Sequence, residues 1–521
     1  MGKKKKIKLE YRLLSAIPDN YVDFYPLARE MKRRFVLHIG PTNSGKTYQA
    51  IEALKKAGNG VYLAPLRLLA YEQYDAINRD EIPCSMLTGE ERIDIDDAQI
   101  TASTIEMANY SKYYSVAVID EAQMIADPMR GGSWTSAILG ILAEEIHVCA
   151  SQNAEGLLIK LIRDCGDEYS VVYHERKTPL KLDRFSFEFP RDVEKGDALI
   201  VFSRRNVHAV ASELHEKGYK CSIIYGALPY DVRHTQAELF ASGINDVVVA
   251  TDAIGMGMNL PIHRIVFLEQ QKFDGIEKRE LRSDEIKQIA GRAGRYGIYD
   301  EGIVTSFGGR KQIRYGLEDV DISLRRAVID FPESLIGIDA PLSLILEKWI
   351  SIPVQVGYEK ALSERELKLC RMLENQTHDK EFIYRCITIP FDEEDSKLLK
   401  MWLQMCQAEM KGQGYAVRMN IPRIEERSLD VLEQQYRICD LLYMYCDRFD
   451  RRRRVPDITR TKARLSEEIV KLLSQQKLQQ RKCRFCGKPL PWNFSYSMCE
   501  DCYDRRYGWE GYRRGKYTKN S

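Results

Sequence analysis

The fold of the first part of the chain is decided by the stretch GPTNSGKT, residues Gly40–Thr47, which fits the pattern G-x-x-x-x-G-K-[ST]. An apolar run at Phe35–Ile39 predicts a strand before it, and the residues after it predict a helix. In that context the backbone N–H groups of the loop converge on a phosphate, and the helix presents its positive end to the same anion. The sequence therefore predicts a nucleotide-binding loop. Its residues are Gly40, Pro41, Thr42, Asn43, Ser44, Gly45, Lys46 and Thr47.

An acidic pair follows the predicted strand Val116–Ile119. Asp120 and Glu121 stand at the carboxyl end of that strand, which is where open α/β sheets bind ligands. Beside a phosphate loop, Lys46 and the hydroxyl of Thr47 contact phosphates and Mg²⁺, Asp120 suits Mg²⁺, and Glu121 can accept a proton from an attacking water. A solvated acidic turn is the alternative interpretation. The upstream loop favours a site that hydrolyses a triphosphate.

Short apolar runs alternate with amphipathic stretches over the first 310 residues or so, which is typical of parallel sheets covered by helices. A charged, proline-bearing connection at about Lys177–Lys195 separates two such series, so we expect two α/β sheets in tandem. The predicted strands are Phe35–Ile39, Val61–Ala64, Gln99–Ser103, Val116–Ile119 and Ile146–Ala150, then Ala198–Phe202, Cys221–Tyr225, Val247–Ala250, Arg264–Leu268 and Gly302–Ser306.

The residues beyond about Lys311 carry apolar side chains at helical spacing. Arg451–Arg454 with Pro456 predicts a break before a final charged helix. The predicted helices are Leu342–Ile350, Glu364–Leu373, Lys397–Met410, Leu429–Phe449 and Thr461–Leu478. The predicted domains are a basic, helical N-terminal extension (1–34), an ATP-binding α/β domain (35–180), a second α/β domain (181–325), a helical domain (326–455), and a basic linker helix with a four-cysteine tail (456–521).

The second predicted sheet carries two polar segments of its own. Glycines and an acid directly after a strand let backbone approach phosphates or a nucleic-acid strand. Arg292 and Arg295 are three residues apart, which predicts that they share one helical face, and guanidinium groups match the charge of a transferring γ-phosphate. The residues assigned to these segments are Asp252, Gly255 and Gly257, and Gln288, Arg292 and Arg295.

Taken together, the motifs resemble the DExH-type helicases of superfamily two. Their order is GPTNSGKT, APLRLLA (Ala64–Ala70), ASTIEM (Ala102–Met107), DEAQ, VFSRRN (Val201–Asn206), VATDAIGMGMNL and QIAGRAGR. A closer resemblance is to the suppressor-of-Var family, the RNA helicase of the mitochondrial degradosome and its bacterial relatives. The segments that carry it are RGGSWTSAILG (Arg130–Gly140), YGALPYDVRHTQAELF (Tyr225–Phe240) and EIKQIAGRAGRYG (Glu285–Gly297).

This resemblance implies two RecA-like domains and an ATP-dependent RNA helicase that acts in RNA turnover, with an exoribonuclease as a partner. It also implies that Gln288, Arg292 and Arg295 contact the γ-phosphate and that Asp252, Gly255 and Gly257 transmit the nucleotide state. Contacts to the backbone of a single strand are implied for Pro65, Arg67, Thr88, Gly89 and Thr104. The segment Cys149–Ala154 departs from the Ser-Ala-Thr coupling motif of the family, which leaves the link between hydrolysis and unwinding open.

Four cysteines near the end of the chain form two C-x-x-C pairs separated by 12 residues. This spacing favours a tetrahedral Zn²⁺ site built from Cys483, Cys486, Cys499 and Cys502, and a segment this small needs such a metal in order to fold. Two disulfides are the alternative. The other nine of the 13 cysteines are dispersed, which is typical of reduced thiols and favours zinc.

Aromatic and basic side chains surround these cysteines, a composition that suits stacking on RNA bases and contact with phosphates. Docking onto a protein partner uses similar residues, so both ligands stay open. The aromatic residues are Phe485, Trp492, Phe494, Tyr496, Tyr503, Tyr507, Trp509, Tyr512 and Tyr517, and the basic ones are Arg484, Lys488, Arg505, Arg506, Arg513, Arg514 and Lys516.

The charge of the 521-residue chain is nearly balanced, at +2, but its distribution is uneven. Residues 451–521 contain 19 Lys or Arg against 7 Asp or Glu, so the excess positive charge lies in the tail. No run of 18 apolar residues predicts a membrane span, and early acids such as Glu10 and Asp19 argue against a mitochondrial leader, so we expect a cytoplasmic protein. The histidines, among them His38, His147 and His263, are expected to be isolated structural residues.

Two other functions fit the same motifs. A DNA helicase is one, because contacts to phosphates do not distinguish RNA from DNA. A clamp that binds nucleic acid under the control of ATP, without unwinding it, is the other.

Overall fold

The chain forms two compact units. A computed structural model describes residues 3–89, 91–255, 258, 260–274, 277–361, 364–412, 421–424, 428–475, 482–488, 490–494 and 496–506. The first unit comprises Met1–Lys177 and Val320–Leu465, and the second comprises Thr178–Asp319 and Ser466–Ser521. Each unit therefore contains segments that are distant in the sequence.

The first unit is built on a sheet from the first third of the chain. Its strands are β1 (Arg34–Ile39), β2 (Gly60–Ala64), β3 (Cys84–Thr88), β4 (Glu91–Ile93), β5 (Ile100–Thr104), β6 (Tyr113–Ile119), β7 (Leu142–Ala150) and β8 (Glu168–Tyr173). Its helices are α1 (Lys3–Ala16), α2 (Pro26–Glu30), α3 (Lys46–Ala57), α4 (Arg67–Arg79), α5 (Gly131–Gly140) and α6 (Glu155–Asp164). The strand order is β4-β3-β5-β2-β6-β7-β1-β8, and only β4 pairs antiparallel to its neighbour. Central strands such as β2 are buried along their whole length, which explains their continuous apolar sequence.

The second unit contains a six-stranded parallel sheet, in the order β11-β12-β10-β13-β16-β9. Its strands are β9 (Leu180–Leu182), β10 (Asp197–Ile200), β11 (Cys221–Ile224), β12 (Val247–Ala250), β13 (Arg264–Phe267), β14 (Gln271–Phe273), β15 (Lys278–Glu280) and β16 (Gly302–Ser306). Its helices are α7 (Arg204–Glu216), α8 (Tyr230–Ala241), α9 (Ser283–Ala290) and α10 (Arg310–Glu318). β14 and β15 form a separate antiparallel hairpin.

The C-terminal part is mostly helical. It contains β17 (Ala327–Ile329) and β18 (Tyr358–Lys360), with α11 (Leu342–Ser351), α12 (Glu364–Glu374), α13 (Lys380–Ile387), α14 (Ser396–Met410), α15 (Leu429–Arg448) and α16 (Val455–Ser474). Trp349 of α11 and Leu13 of α1 are fully buried in the same apolar cluster as Phe35 of β1. The N-terminal extension and the start of the helical region therefore complete the core of the first sheet.

The predicted fold class is confirmed: two tandem parallel-sheet, RecA-like domains are followed by a helical C-terminal region. Each of the ten predicted strands coincides with an observed one. The predicted break at Arg451–Arg454 is confirmed, because α15 ends at Arg448 and α16 begins at Val455. The last helix begins earlier than the predicted Thr461, so Pro456 lies in its first turn. A proline is tolerated there, since the N–H groups of a first helical turn have no partner within the helix.

Candidate functional site

The phosphate loop connects β1 to α3 as predicted. Asn43 and Gly45 adopt left-handed backbone conformations, with φ of 62° and 86°, so the chain turns tightly just before α3 begins. The Nζ atom of Lys46 donates to the carbonyl oxygens of Gly40 at 2.6 Å and Pro41 at 2.8 Å. The ammonium group therefore lies across the loop, next to the positive end of α3. Ser44 closes the turn by donating to the same Pro41 oxygen at 2.8 Å.

Gly40 has no room for a side chain. A Cβ atom at this position would lie 2.3 Å from the carbonyl oxygen of His174, which directly follows β8. The N–H of His174 donates to the carbonyl of Ile39 at 2.7 Å, and Arg176 donates to the carbonyl of Thr42 at 3.3 Å. The end of β8 thus forms one wall of the loop.

Asp120 ends β6 and is almost fully buried. Its carboxylate accepts hydrogen bonds from Thr47 at 3.0 Å, from Tyr62 at 2.9 Å and from the N–H of Glu121 at 2.9 Å. Burial, together with the charge of Glu121, raises the pKa of Asp120 to about 6. A buried carboxylate beside a hydroxyl offers the oxygen ligands that Mg²⁺ prefers, and the cation would balance the buried charge. Trp134 holds the main chain here by donating to the Asp120 carbonyl at 2.9 Å.

Glu121 is linked to the segment that follows β7. Its φ is 49°, an uncommon value for a residue with a side chain. The amide of Gln123 donates to the Glu121 carboxylate and accepts from the N–H of Ser151 at 3.2 Å. The carbonyl of Asn153 in turn accepts from the N–H of Leu324 at 2.8 Å. One amide side chain therefore joins the acidic pair to the segment that departs from the family motif, a role that the sequence did not predict.

The residues predicted to contact a single strand lie at the carboxyl ends of neighbouring strands. Arg67 pairs with Glu91 at 2.7 Å, and the N–H of Glu91 donates to the hydroxyl of Thr88 at 3.0 Å. Glu91 therefore connects two of the predicted residues. Pro65 and Thr104 follow or end the paired strands β2 and β5, and Arg130 donates to the Pro65 carbonyl.

Helix α15 covers part of this surface. The methyl group of Met444 lies against Gly89, where a Cβ would be 3.4 Å from it. Tyr443, the preceding residue, is buried, and its pKa is raised mainly by that burial and then by Asp447 and Glu91. Lys462 of α16 lies 5.6 Å from the centre of the Tyr443 ring. The helical C-terminal region thus contributes residues beside Gly89 that motif reading could not identify.

In the second unit, several predicted residues gather around α9. Gln288 lies on α9, and a Cβ on Gly255 would be 3.5 Å from its Cγ. Arg292 donates to the carbonyl of Gly255, from Nε at 3.0 Å and from Nη2 at 2.5 Å. Asp252 pairs with Lys272 at 3.2 Å. Gly257, another predicted residue, lies outside the described residues.

The prediction that Arg292 and Arg295 share a helical face is wrong. Helix α9 ends at Ala290, and both arginines lie in the turns that follow. Gly294, between them, has a φ of 71°, and a Cβ there would collide with Gly302 at 2.5 Å. The close approach of β16 therefore ends the helix before the arginines. Their predicted contact with a γ-phosphate stays a prediction.

The four C-terminal cysteines form a cluster that could hold a metal ion. The ligand atoms of Cys483, Cys486, Cys499 and Cys502 all lie within 4.8 Å of one another. The backbone N–H of Cys499 donates to the Cys483 sulfur at 3.2 Å. Burial works against ionisation of Cys483, but N–H groups directed at its sulfur outweigh it and lower the pKa of the thiol. All 13 cysteines are free thiols, which leaves the disulfide alternative without support.

The cysteine cluster is attached to the second unit through Trp492. This side chain is buried, with ring-to-ring distances of 5.9 Å to Phe189 and 6.0 Å to Phe307. The backbone N–H of Trp492 donates to the Glu213 carboxylate at 3.3 Å. Trp492 is therefore a packing anchor, which differs from its predicted role in stacking on bases.

Phe485 and Tyr496 stay about half exposed, as a stacking surface requires. Arg506 lies 4.6 Å over the Phe485 ring, and Lys488 pairs with Asp501 at 2.9 Å. The predicted residues that lie outside the described part of the chain are Tyr507, Trp509, Tyr512, Arg513, Arg514, Lys516 and Tyr517.

The expectation of isolated histidines is wrong for two of the three. His38 is hydrogen-bonded to His147 on one side and to His174 on the other. Motif reading could not detect this hydrogen-bonded line, because its members lie on β1, on β7 and directly after β8, which only the sheet brings together.

Comparison with known proteins finds two regions that are similar to helicase domains. Residues 22–174 match the family model described as the DEXQ-box helicase domain of Suv3, and residues 181–297 match the helicase conserved C-terminal domain. This part of the chain is similar to the helicase core of the Suv3 family. The first matched region contains the phosphate loop, Asp120 and Glu121, and the second contains Gln288 and Arg292.

The curated relatives are RNA helicases by name. The chain is 45% identical over 278 residues to the mitochondrial ATP-dependent RNA helicase SUV3 of Oryza sativa, covering 53% of this chain and 48% of that protein. It is 39% identical over 324 residues to the Saccharomyces cerevisiae protein of that name, covering 59% and 44%, and 43% identical over 302 residues to SUPV3L1 of Danio rerio, covering 56% and 39%. The match thus spans about half or less of the length of these relatives.

The cytoplasmic location expected from the sequence is wrong on this comparison, because these relatives are named as mitochondrial proteins. The acids used in that argument belong to folded structure, since Glu10 lies on α1 and pairs with Lys348 of α11 at 2.8 Å. They therefore carry no information on targeting. Within the described residues, no helix combines the length and the apolar character that a membrane span needs.

Proposed function

We propose that the protein is an ATP-dependent RNA helicase, which couples ATP hydrolysis to translocation along single-stranded RNA and to the unwinding of duplexes during RNA turnover. The observation that carries the proposal is the assembly of Lys46, Thr47, Asp120 and Glu121 at one edge of the first sheet, within a core that matches the Suv3 family. The names of the relatives support RNA as the nucleic acid.

The chemistry of hydrolysis falls to residues of the first unit. Lys46 and the loop N–H groups bind the phosphates. Thr47 and Asp120 would hold Mg²⁺, whose charge would offset that of the phosphates. Glu121 accepts a proton from the attacking water, and Gln123 holds its carboxylate in place.

The predicted roles of residues in the second unit are part of this proposal. Gln288, Arg292 and Arg295 contact the γ-phosphate, and the segment with Asp252, Gly255 and Gly257 responds to its loss. The bond between Arg292 and the Gly255 carbonyl supports a direct connection between these two segments.

Single-stranded RNA binds along the carboxyl ends of β2, β3 and β5 in this proposal. Pro65, Arg67, Thr88, Gly89 and Thr104 lie there, and helix α15 encloses the strand near Gly89. The guanidinium of Arg67 is paired with the carboxylate of Glu91, so an RNA phosphate must displace that carboxylate in order to bind Arg67. An exoribonuclease is a fitting partner, because the single strands released by unwinding are its substrate.

The cysteine cluster binds structural Zn²⁺ in this proposal, and its exposed aromatic and basic residues add a second RNA contact. The test is metal content: we expect one zinc per chain in the purified protein and its loss in Cys499→Ser. The matched control is Cys165→Ser, since Cys165 lies outside the cluster. Equal zinc in all three proteins would contradict the assignment.

The central test combines ATP hydrolysis with strand displacement. We expect RNA to stimulate hydrolysis more than DNA does, and the protein to release a labelled strand from an RNA duplex. Lys46→Ala should lower turnover by about 10²–10³-fold, since it removes a charge that stabilises the transition state. Stronger stimulation by DNA would identify a DNA helicase, and stimulated hydrolysis without strand release would identify the clamp.

A further inference from the structure

Three histidines form a hydrogen-bonded line that ends at the phosphate loop. His38 of β1 lies in the middle, with its Nε2 atom 2.8 Å from Nδ1 of His147 and its Nδ1 atom 3.0 Å from Nε2 of His174. Nε2 of His147 lies 2.7 Å from a carboxylate oxygen of Glu145. His38 and His147 are buried, whereas His174 is only partly covered.

The carboxylate of Glu145 gives this line a direction. Burial works to raise the pKa of Glu145, but hydrogen bonds from Arg34 and His147 outweigh it and lower that pKa. An ionised carboxylate only accepts, so His147 must donate from Nε2 and accept at Nδ1. The same alternation makes His38 donate to His147 and His174 donate to His38. The free lone pair of the neutral line therefore lies on Nδ1 of His174.

The end of the line is part of the nucleotide site. The backbone of His174 bonds to Ile39 and leaves no space for a side chain on Gly40. Glu145 and Arg34 face the line at one end. Lys46 and Lys177 face it at the other, where both charges act on the His174 ring.

All three imidazoles are held neutral in this environment. Burial, followed by the neighbouring imidazoles, lowers the pKa of His38 to about 4. Burial also lowers the pKa of His147 and of His174, and in His174 the charges of Lys46 and Lys177 lower it further. A polyphosphate on Lys46 would cancel that repulsion and add negative charge, so protonation of His174 becomes favourable.

We propose that His174 is a proton-linked residue of the nucleotide site, which takes up a proton at Nδ1 when a polyphosphate enters the loop and then attracts that anion as a cation. This inference rests on the proposed function, because it requires that the loop binds a nucleotide. His38 and Glu145 are positioning residues, which keep the lone pair of His174 on Nδ1.

The sign of the pH dependence follows directly. The nucleotide raises the pKa of His174 above its value in the free protein, so the bound state holds more protons. Nucleotide affinity should therefore increase as the pH falls through the window between the two pKa values, and the lower limit of that window lies below the ordinary histidine value. Below that window His174 is charged in both states, and the effect ends.

Calorimetry of Mg²⁺–ADP binding near pH 6.5, in buffers of different ionisation enthalpy, counts the protons taken up. The terminal phosphate of ADP titrates in the same range, but its contribution is common to all variants and cancels in a difference. We expect wild type to take up about 0.5 proton more than His174→Gln. His215→Gln is the matched control, since His215 is an exposed histidine on α7, and it should behave as wild type.

Glu145→Gln provides an independent second variant. It removes the carboxylate that fixes the direction of the line, so we expect proton uptake to fall below that of wild type while ADP still binds. Equal proton uptake in wild type and in His174→Gln overturns the inference. If His174→Gln does not fold, proton uptake in Glu145→Gln that equals that of wild type overturns it instead. Failure of wild type to bind ADP overturns the proposed function instead.

Discussion

Glu285 anchors the helix that carries Gln288, and neutralising it should weaken the second unit in a pH-dependent way. Its carboxylate accepts from Arg279 at 3.0 and 2.9 Å and from the N–H of Arg282 at 2.9 Å, and it pairs with Lys272 at 2.6 Å. Burial opposes ionisation, but these partners outweigh it and lower the pKa from 4.5 to about 2. The side chain is only 11% exposed, so solvent screens these contacts little.

The magnitude follows from that shift. A difference of about 2.5 pKa units corresponds to about 3 kcal/mol of folding free energy at pH 7. Because the folded-state pKa is the lower one, this stabilisation is complete above pH 4.5 and is lost as the pH falls toward 2. The difference in stability between wild type and Glu285→Gln should therefore be about 3 kcal/mol at pH 7 and about 1.4 kcal/mol at pH 3.

Hydrogen exchange of the β10, β12 and β13 amides in the full chain measures the opening of the second unit. The control is Asp284→Asn, whose exposed pair with Arg282 should contribute less than about 1 kcal/mol. A gap between wild type and Glu285→Gln that is as large at pH 3 as at pH 7 would refute the assignment of the stabilisation to this carboxylate. A gap below about 1 kcal/mol at pH 7 would do the same.

Three other substitutions test the remaining contacts. Gly40→Ala should cost about 1–3 kcal/mol of nucleotide-binding free energy, because its Cβ collides with the His174 carbonyl. Titration with ADP should show this loss. Gly156→Ala, where a Cβ meets no atom within 4 Å, is the control and should bind ADP normally. Gln123→Ala removes both bonds of the amide, so we expect stimulation of ATP hydrolysis by RNA to fall more than basal hydrolysis, and an unchanged ratio of the two rates would contradict the proposed link. Trp492→Ala should destabilise the docked cysteine cluster by about 3–5 kcal/mol without loss of zinc, which faster exchange in that segment at constant metal content would demonstrate.

The sequence predicted those features that depend on neighbouring residues. The strand, loop and helix around Lys46 are contiguous, and Asp120 needs only its own strand to reach the same edge of the sheet. Strands such as β3 and β8 escaped prediction because they are not continuous apolar runs. Their residues alternate between more and less buried positions and include polar side chains. The end of α9 at Ala290 escaped because it depends on the approach of Gly302 to Gly294, across the turn.

The contacts that sequence reading missed join distant segments. Met444 meets Gly89, and His38 meets His174, only after helices and strands have packed. Neither pair has a local signature, since a methionine on an amphipathic helix and a histidine in a strand are ordinary core residues. Gln123 did have a local signal, because the DEAQ segment carries an amide side chain that a solvated turn does not need. The sequence could not show that this amide bonds to the N–H of Ser151.

The division of each unit between separate segments has a consequence for synthesis. The first sheet is complete once Lys177 has been made, yet its core also requires Ala327 and Trp349, and the unit extends to Leu465. During synthesis, the apolar surface of the first sheet would therefore stay uncovered while the whole second sheet emerges from the ribosome. We therefore expect the segment up to Lys177 to depend on chaperones during translation. A fragment that ends at Lys177 should aggregate.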